Sequence, residues 1–307
     1  MKMGERTYAS VKPSTLVDRL IGRIIKGVAG QYTVDTAEGR YVCSARGLFR
    51  KNKISPIVGD MVKISAEDGY LLEILPRKNE LRRPKVANVD QIIIVLAAAQ
   101  PELSFGLLDR YLMQAEHEII PAAICINKLD LKYQEEVRDL YTKVGYPVFC
   151  VSAITDICDS TNLIDTEIDT EFDKMMEFLQ DKTTVLAGPS GVGKSSIINR
   201  LCGSAILEIG EVSEKIGRGK HTTRHTEFVL LPPSAYVIDT PGFSSLDPPS
   251  ISTKELAWLF REFRPFLGEC KFKDCLHYKE QDCAVKGEIG NVIDKRRYER
   301  YIDMIRG

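Results

Sequence analysis

The chain has 307 residues, 44% of them hydrophobic and 28% charged, with a formal net charge of −1, as is ordinary for a soluble globular protein with room for two or three domains. No uninterrupted apolar run approaches the ~20 residues of a membrane helix. The basic start, Met1 to Arg6, has no apolar stretch behind it. The expectation is therefore a cytoplasmic protein with no membrane partner and no signal peptide.

The charge is unevenly spread. Residues 1–85 carry 17 Lys/Arg against 9 Asp/Glu, residues 86–243 carry 13 against 23, and residues 244–307 carry 12 against 11. A basic first module beside an acidic middle suits a polyanionic partner touched by the ends, with a merely solvated surface as the alternative.

Residues 17–80 read as short strands separated by Gly-containing turns: Leu20 to Ile25, Gln31 to Asp35, Arg40 to Ala45, Asp60 to Ser65 and Gly69 to Leu75. Five strands of this length predict a small β-barrel of the oligonucleotide-binding (OB) type. Arg46, Arg50, Lys51 and Lys53 surround Phe49, a combination suited to phosphate contacts and base stacking. A spacer role for the barrel is the alternative. Arg77 to Lys85 reads as a charged, proline-punctuated linker.

After it, strands and helices alternate. Val89 to Leu96 reads as a strand whose apolar run is unbroken from Ile92 on, as a strand buried on both faces requires. A helix over Leu107–Glu118, a strand over Ala122–Ile126, a helix over Glu135–Val144 and a strand over Val148–Val151 follow. Thr183–Ala187, Phe228–Leu231 and Tyr236–Ile238 supply three more strands. Six strands with intervening helices predict a doubly wound sheet with ligands at the strand C-terminal ends. Residues 156–173 hold seven acidic and no basic side chains and read as an exposed, solvated loop leading to a helix near Phe172–Leu179.

The motifs fall at the strand ends. Asn127-Lys128-Leu129-Asp130 follows a strand. A carboxylate at Asp130 accepts from the two N–H groups on guanine's N1/N2 edge, which adenine lacks. Lys128 lays its stem along the base, and Ser152-Ala153 offers an amide to the guanine carbonyl. Gly188-Pro189-Ser190-Gly191-Val192-Gly193-Lys194-Ser195, with Ser196 behind it, is a phosphate loop between a strand and a helix over Ser195–Leu201. Its glycines let backbone N–H groups converge on phosphate oxygens, Lys194 bridges the outer phosphates, and Ser195 ligates magnesium. Gly217 to Thr223 is glycine-rich and polar, as a mobile first switch is. Thr223, in preference to Thr222, completes the magnesium shell. Asp239-Thr240-Pro241-Gly242 would carry no weight alone, since about one DxxG match is expected by chance in such a length. Here it follows a strand, where Asp239 reaches magnesium and the Gly242 amide meets the γ-phosphate. Phe243 stands where many GTPases have a water-orienting glutamine, and a phenyl ring cannot orient water by hydrogen bonding. His221 is the candidate catalytic group, an ordinary switch-loop histidine being the alternative.

Of eight cysteines, Cys43, Cys125, Cys150, Cys158 and Cys202 are scattered. Cys125 and Cys150 sit in apolar runs and read as small buried hydrophobes. Cys270, Cys275, His277 and Cys283 cluster, and three thiols with one imidazole fill the tetrahedral shell of one structural zinc. Around them Lys254–Phe263 and Asp294–Ile305 read as helices. The second carries Lys295, Arg296, Arg297, Arg300 and Arg306, either a phosphate-facing surface or a solvated helix face.

Taken together, the motif order, with the guanine elements before the phosphate loop, resembles the circularly permuted small ribosomal subunit biogenesis GTPases, the RsgA family. So do the basic barrel, the Gly-Arg-Gly-Lys-His-Thr-Thr segment, Asp239 to Phe243 and the Cys/Cys/His/Cys cluster. The resemblance covers nearly the whole chain. It implies a protein that binds the small ribosomal subunit, contacts its rRNA and hydrolyses GTP to GDP there. It also implies a hydrophobic residue after DxxG and a switch histidine in catalysis. The domain expectation is a barrel with linker over 1–83, a permuted GTPase domain over 84–245 and a helical zinc-binding domain over 246–307, working as a monomer. Two other classes fit parts of the chain: an RNA-binding module with a purely structural nucleotide, and a P-loop kinase or ATPase, against which Asp130 argues.

Overall fold

The computed structural model describes residues 19–45, 49, 55–82, 84–132, 134–154, 163–209, 228–231, 234–239 and 251–306, with the backbone alone at 163–169, 204–209 and 239. The chain divides into two compact units, Met1–Arg77 and Lys78–Gly307.

The first unit is a closed five-stranded barrel of β1 (Arg19–Val28), β2 (Gln31–Thr36), β3 (Gly39–Ala45), β4 (Met61–Ser65) and β5 (Tyr70–Ile74), in the order β1-β2-β3-β5-β4. Alternation puts Ile24, Val34, Cys43, Val62, Ile64 and Leu71 inside. Asp60, fully buried, takes a bidentate ion pair from Arg77 (2.6 and 2.9 Å) and the Ile57 N–H (2.8 Å). Phe49, expected to stack on bases, is buried instead, because its ring has more to gain in an apolar interior than in water. The basic residues expected around it, Arg46, Arg50, Lys51 and Lys53, lie outside the described residues.

In the second unit, the expected linker holds β6 (Glu80–Leu81), which pairs with β7 (Val86–Ala87) just beyond it in a two-stranded ribbon. A six-stranded sheet follows, built from β8 (Gln91–Ala97), β9 (Ala122–Asn127), β10 (Val148–Cys150), β11 (Thr183–Ala187), β12 (Phe228–Leu231) and β13 (Ala235–Asp239). Its order is β10-β9-β8-β11-β13-β12, parallel throughout except for the antiparallel edge strand β12. Every residue of β8, β9 and β11 is buried, which is why these strands are mostly apolar, with polar residues only at their ends. Helices α1 (Phe105–His117), α2 (Glu135–Val144), α3 (Leu163–Leu179) and α4 (Lys194–Ile209) connect the strands. Ser104 caps α1 by accepting from the Leu107 N–H, and Gly145 ends α2 in the left-handed region.

Helix α3 corrects the reading of 156–173 as a loop, since its second half is helical. Glu171 there is buried and paired with Arg138 (3.3 Å) and Lys174 (2.9 Å), and Phe172 joins the sheet's core. Cys125 and Cys150 are buried as expected, and burial pushes the Cys150 thiol up to about 11.

The C-terminal module belongs to the same compact unit as the sheet. The expected helix over Lys254–Phe263 is a short α5 (Thr253–Leu256) followed by 3-10 turns at Ala257–Leu259 and Arg261–Phe266, broken where Phe260 turns extended. After them come α6 (Ala284–Gly287) and α7 (Lys295–Arg306). Phe260, Phe263 and Tyr301 form an aromatic core that also takes in Met113 from α1.

Two of the α7 arginines expected to face phosphate or solvent, Arg297 and Arg300, are turned inward. Arg297 is 2% exposed and grips Glu262 with two bonds (2.6 and 2.9 Å). Its remaining Nη1 donates to Asp109 of α1. Arg300 donates to the other Asp109 oxygen, and the Tyr141 hydroxyl of α2 donates to Asp109 at 2.6 Å. Burial, then the Asp109 carboxylate, raises the Tyr141 phenol's pKa and keeps it a donor. Arg296 pairs with Glu136 of α2 and with Asp294. On the same side, Glu116 of α1 receives Arg261 and Arg264, each at 2.6 Å. Such groups are tolerated in an interior only when paired, which explains why the charges come matched.

Replacing Arg297 with Met keeps its bulk but strips Glu262 and half of Asp109 of their cation. Breaking a buried pair in this way should cost about 3–5 kcal/mol. Urea unfolding followed by circular dichroism checks this, and a loss below about 1 kcal/mol would mean that the network contributes no more than a surface pair does.

Candidate functional site

The sequence motifs collect along one edge of the sheet. Asn127 ends β9, Ser152 follows β10, Gly188 follows β11 and Asp239 ends β13, all at strand C-terminal ends. The backbone of Asp239 lies opposite Leu186 of β11.

Between β11 and α4 the phosphate loop turns on glycines at positive φ, and two of them have no alternative. A Cβ at Gly188 (φ +138°) would lie 2.1 Å from the Val95 carbonyl oxygen of β8. One at Gly193 (φ +94°) would lie 2.3 Å from Asn127 Nδ2. The loop therefore approaches its neighbours closer than any side chain permits. Pro189 and Ser190 form its outer turn, Val192 is buried beneath it, and Ser195 and Ser196 are exposed in the first turn of α4. Lys194 Nζ lies over the loop, donating to the Gly188 and Pro189 carbonyls (2.7 and 2.9 Å). The N-terminus of α4 adds its partial positive charge at the same place.

The residues expected to read guanine lock onto this loop. Asn127, 1% exposed, donates from Nδ2 to the Val192 carbonyl (2.8 Å) and accepts at Oδ1 from the Ala153 N–H (3.0 Å). The guanine-carbonyl contact expected of Ala153 therefore shares its N–H with this internal bond. Lys128, itself at positive φ, donates to the Gly191 carbonyl (2.7 Å) and to the Gln100 carbonyl. The Leu129 N–H is bonded to the Val151 carbonyl, and the Ser152 hydroxyl donates to the exposed Asp130 carboxylate. Asp130 is thus turned toward the loop that carries Ser152 and Ala153, leaving its other oxygen for a ligand's N–H groups.

Two contributors have no motif to announce them. Gln100 acts through a backbone carbonyl, which no side-chain pattern reveals. Arg200 of α4, whose Nη1 donates to the Ser152 carbonyl, is only a cation in a helix when read in sequence. His221, Thr222, Thr223, Gly242 and Phe243 lie outside the described residues, as does the Asp239 side chain.

The second cluster lies in the C-terminal module. One donor atom from each of Cys270, Cys275, His277 and Cys283 falls within 4.8 Å of all the others. Tetrahedral zinc with ordinary bond lengths places sulfurs about 3.8 Å apart and sulfur about 3.5 Å from nitrogen. Here Cys270 and Cys283 Sγ are 3.8 Å apart, and His277 Nδ1 lies 3.5 and 3.4 Å from them. The His277 and Lys286 N–H groups point at the Cys275 and Cys283 sulfurs. Burial raises the Cys275 and Cys283 thiol pKa values and lowers that of His277, so the cluster favours neutral groups unless a cation offsets the charge. Donor set and spacing fit a four-coordinate soft metal.

The RsgA GTPase family model matches residues 74–249, and the RsgA N-terminal domain model matches residues 21–71. This chain belongs to the RsgA GTPase family. It is therefore a GTP-hydrolysing enzyme of circularly permuted architecture. The small ribosomal subunit biogenesis GTPase RsgA of Caldanaerobacter subterraneus is 45% identical over 297 residues, covering 94% of this chain and 96% of that relative. The protein of the same description from Bacillus subtilis is 42% identical, covering 92% and 96%. Among solved structures, YloQ, described as a circularly permuted GTPase, superposes with a TM-score of 0.72 at 36% identity over 96% of each chain. YjeQ from Thermotoga maritima does so with 0.73 at 32% identity, over 93% of this chain and 97% of that one. Guanine nucleotide and magnesium follow from family membership, and no helix among the described residues is long and apolar enough to cross a membrane.

Replacing Gly193 with Ala drives a methyl group into Asn127, which is buried and cannot yield without breaking its bonds to Val192 and Ala153. Titration with fluorescent GDP should show affinity reduced about tenfold or more, the cost of leaving a buried polar group unpaired. Unchanged affinity would mean that the loop and Asn127 are not coupled.

Proposed function

We propose that this chain is an assembly factor that binds the small ribosomal subunit and its rRNA, supports late maturation of that subunit, and hydrolyses GTP to GDP and phosphate when the subunit stimulates it. The observation that carries the reading is Asn127, whose one amide ties the phosphate loop to the guanine-reading loop. The names of the relatives point to the small subunit.

In this reading Asp130 accepts from the guanine N1/N2 edge, Lys128 lies along the base, and Asn127, Leu129, Ser152 and Ala153 shape the pocket. The phosphate-loop amides from Gly188 to Ser195, with Ser196 behind them, receive the phosphates, and Lys194 leaves its two loop carbonyls to bridge the outer ones. Magnesium, when bound, neutralises charge between the β- and γ-phosphates. Ser195, Thr223 and Asp239 are the residues that would hold it. The Gly242 amide meets the γ-phosphate. Phe243 cannot orient the attacking water, so His221 or a group from the bound subunit does so. One zinc at Cys270, Cys275, His277 and Cys283 is structural, because four protein ligands leave no open position. The barrel and C-terminal module contact rRNA, the second switch runs from β13 into the module, and the protein acts as a cytoplasmic monomer. A kinase or ATPase reading lacks support from the Asp130 arrangement, where an adenine would leave the carboxylate unpaired.

GTP hydrolysis should rise severalfold or more on adding purified small subunits, and Lys194→Ala should abolish it with and without them. No stimulation, or a Lys194→Ala protein that still supports subunit maturation, would defeat the proposal. Metal analysis of the purified chain should find one zinc per protein, and Cys275→Ser should release it and lower the thermal midpoint. A chain that retained full stability without metal would show the cluster to be free thiols.

A further inference from the structure

One side chain of the phosphate-binding helix reaches out of that helix into the guanine-reading loop. Arg200 lies on α4, which Lys194 opens, about 9 Å further along the axis by the rise of an α-helix. Its Nη1 donates to the Ser152 carbonyl. Its guanidinium sits over the ring of Phe172 of α3, with Cζ 4.0 Å from the ring centroid. Phe172 is buried in the sheet's core, so the platform under the cation is fixed.

The Ser152 carbonyl and the Ala153 N–H belong to one peptide unit, and that unit is held from both sides. Arg200 of α4 binds its oxygen, and Asn127 of β9 accepts from its N–H. A peptide plane gripped at both ends has little freedom to rotate. The hydroxyl on the same Ser152 donates to Asp130. Guanine offers that carboxylate two N–H groups, whereas hypoxanthine offers one. The second bond forms only if the carboxylate plane is correctly turned.

Resting on the guanine-nucleotide reading above, we propose that Arg200 is a positioning residue for base recognition. By fixing the Ser152–Ala153 peptide it holds the Ser152 hydroxyl on Asp130, and so sets the rate of guanine nucleotide release and the preference for guanine over hypoxanthine. The phosphate end and the base end of the pocket are thereby mounted on one helix. A phosphate that orders the start of α4 also steadies the loop that reads the base.

The test uses the full-length chain with Arg200→Ala, Arg200→Lys and Phe172→Leu. Release of fluorescent GDP is followed by stopped flow, and GTP and ITP are compared as competitors. Loss of one charge-assisted hydrogen bond should make GDP release about tenfold to a hundredfold faster in Arg200→Ala. The ratio of GTP to ITP affinity should narrow, and KM should rise by a larger factor than kcat falls. Lysine can reach the carbonyl but cannot lay a planar group on Phe172, so Arg200→Lys should fall between. Phe172→Leu, which keeps the core filled, should fall there too. Wild-type release rates in Arg200→Ala and Arg200→Lys would overturn the proposal while leaving the guanine reading intact. So would equal losses for GTP and ITP, since a merely weakened fold does not choose between bases. A wild-type protein that bound no guanine nucleotide would overturn the site reading, and this inference with it.

Discussion

The structure depends on a seam: β8 and β11 run side by side, paired from Gln91 with Thr184 to Ile94 with Ala187. In the proposed site the guanine half of the pocket is built on β8, β9 and β10, the phosphate half on β11 and α4, and this ladder and what crosses it keep them in register. Gln91 bonds the Thr184 hydroxyl at the base of the seam, and Gly188 lies against the Val95 carbonyl at the top. Asn127 crosses above them. A carboxamide has a donor and an acceptor on one planar group, so it can satisfy a carbonyl and an amide N–H together. Aspartate at that position would place a charge against the Val192 carbonyl, and leucine would leave both groups unpaired. The pocket is thus defined by strand ends meeting at a seam, and the order in which the chain visits the strands does not alter it.

The C-terminal module is joined to this body by directional bonds as well as by apolar packing. Arg297 sits near the Phe260 and Tyr141 rings and reaches two carboxylates from different elements, a geometry a lysine could not reproduce. The module therefore docks against α1 and α2, the helices that follow β8 and β9. The strand that leads into it, β13, lies on the far side of β8 and β11 in the sheet order. In the proposed reading the second switch lies between β13 and the module, and the chemistry of the pocket is felt by the module there.

Much of this was legible in the sequence, for physical reasons. The buried strands are mostly apolar, the phosphate loop needs glycines where no Cβ fits, and three thiols with an imidazole in fourteen residues point to one tetrahedral site. What stayed hidden has a common cause. Arg296, Arg297 and Arg300 look like a basic face because their partners, Glu136, Asp109 and Glu262, are remote in sequence. Periodicity carries no information about which distant carboxylate a cation will meet. The acidic stretch read as solvated for the same reason, since Glu171 meets Arg138 only once α2 and α3 are packed. Phe49 read as a stacking residue because its basic neighbours suggested it, and burial decided otherwise. Arg200 and the Gln100 carbonyl escaped because they act on backbone, or through it.

The clamp on Asp109 also has a bearing on when the protein can finish folding. Asp109 is fully buried, and the cations that compensate it come from residues 297 and 300, 188 and 191 positions later. Until α7 is made, α1 carries a carboxylate without the two cations that pair it in the finished fold. An unpaired charge does not settle into an interior, so α1 stays wet on that face until α7 has emerged. Contacts of such long sequence separation are also the slow ones to form. Completion of the GTPase body therefore waits on synthesis of the module. The fold thus carries an order of assembly, in which an early helix is closed by a late one.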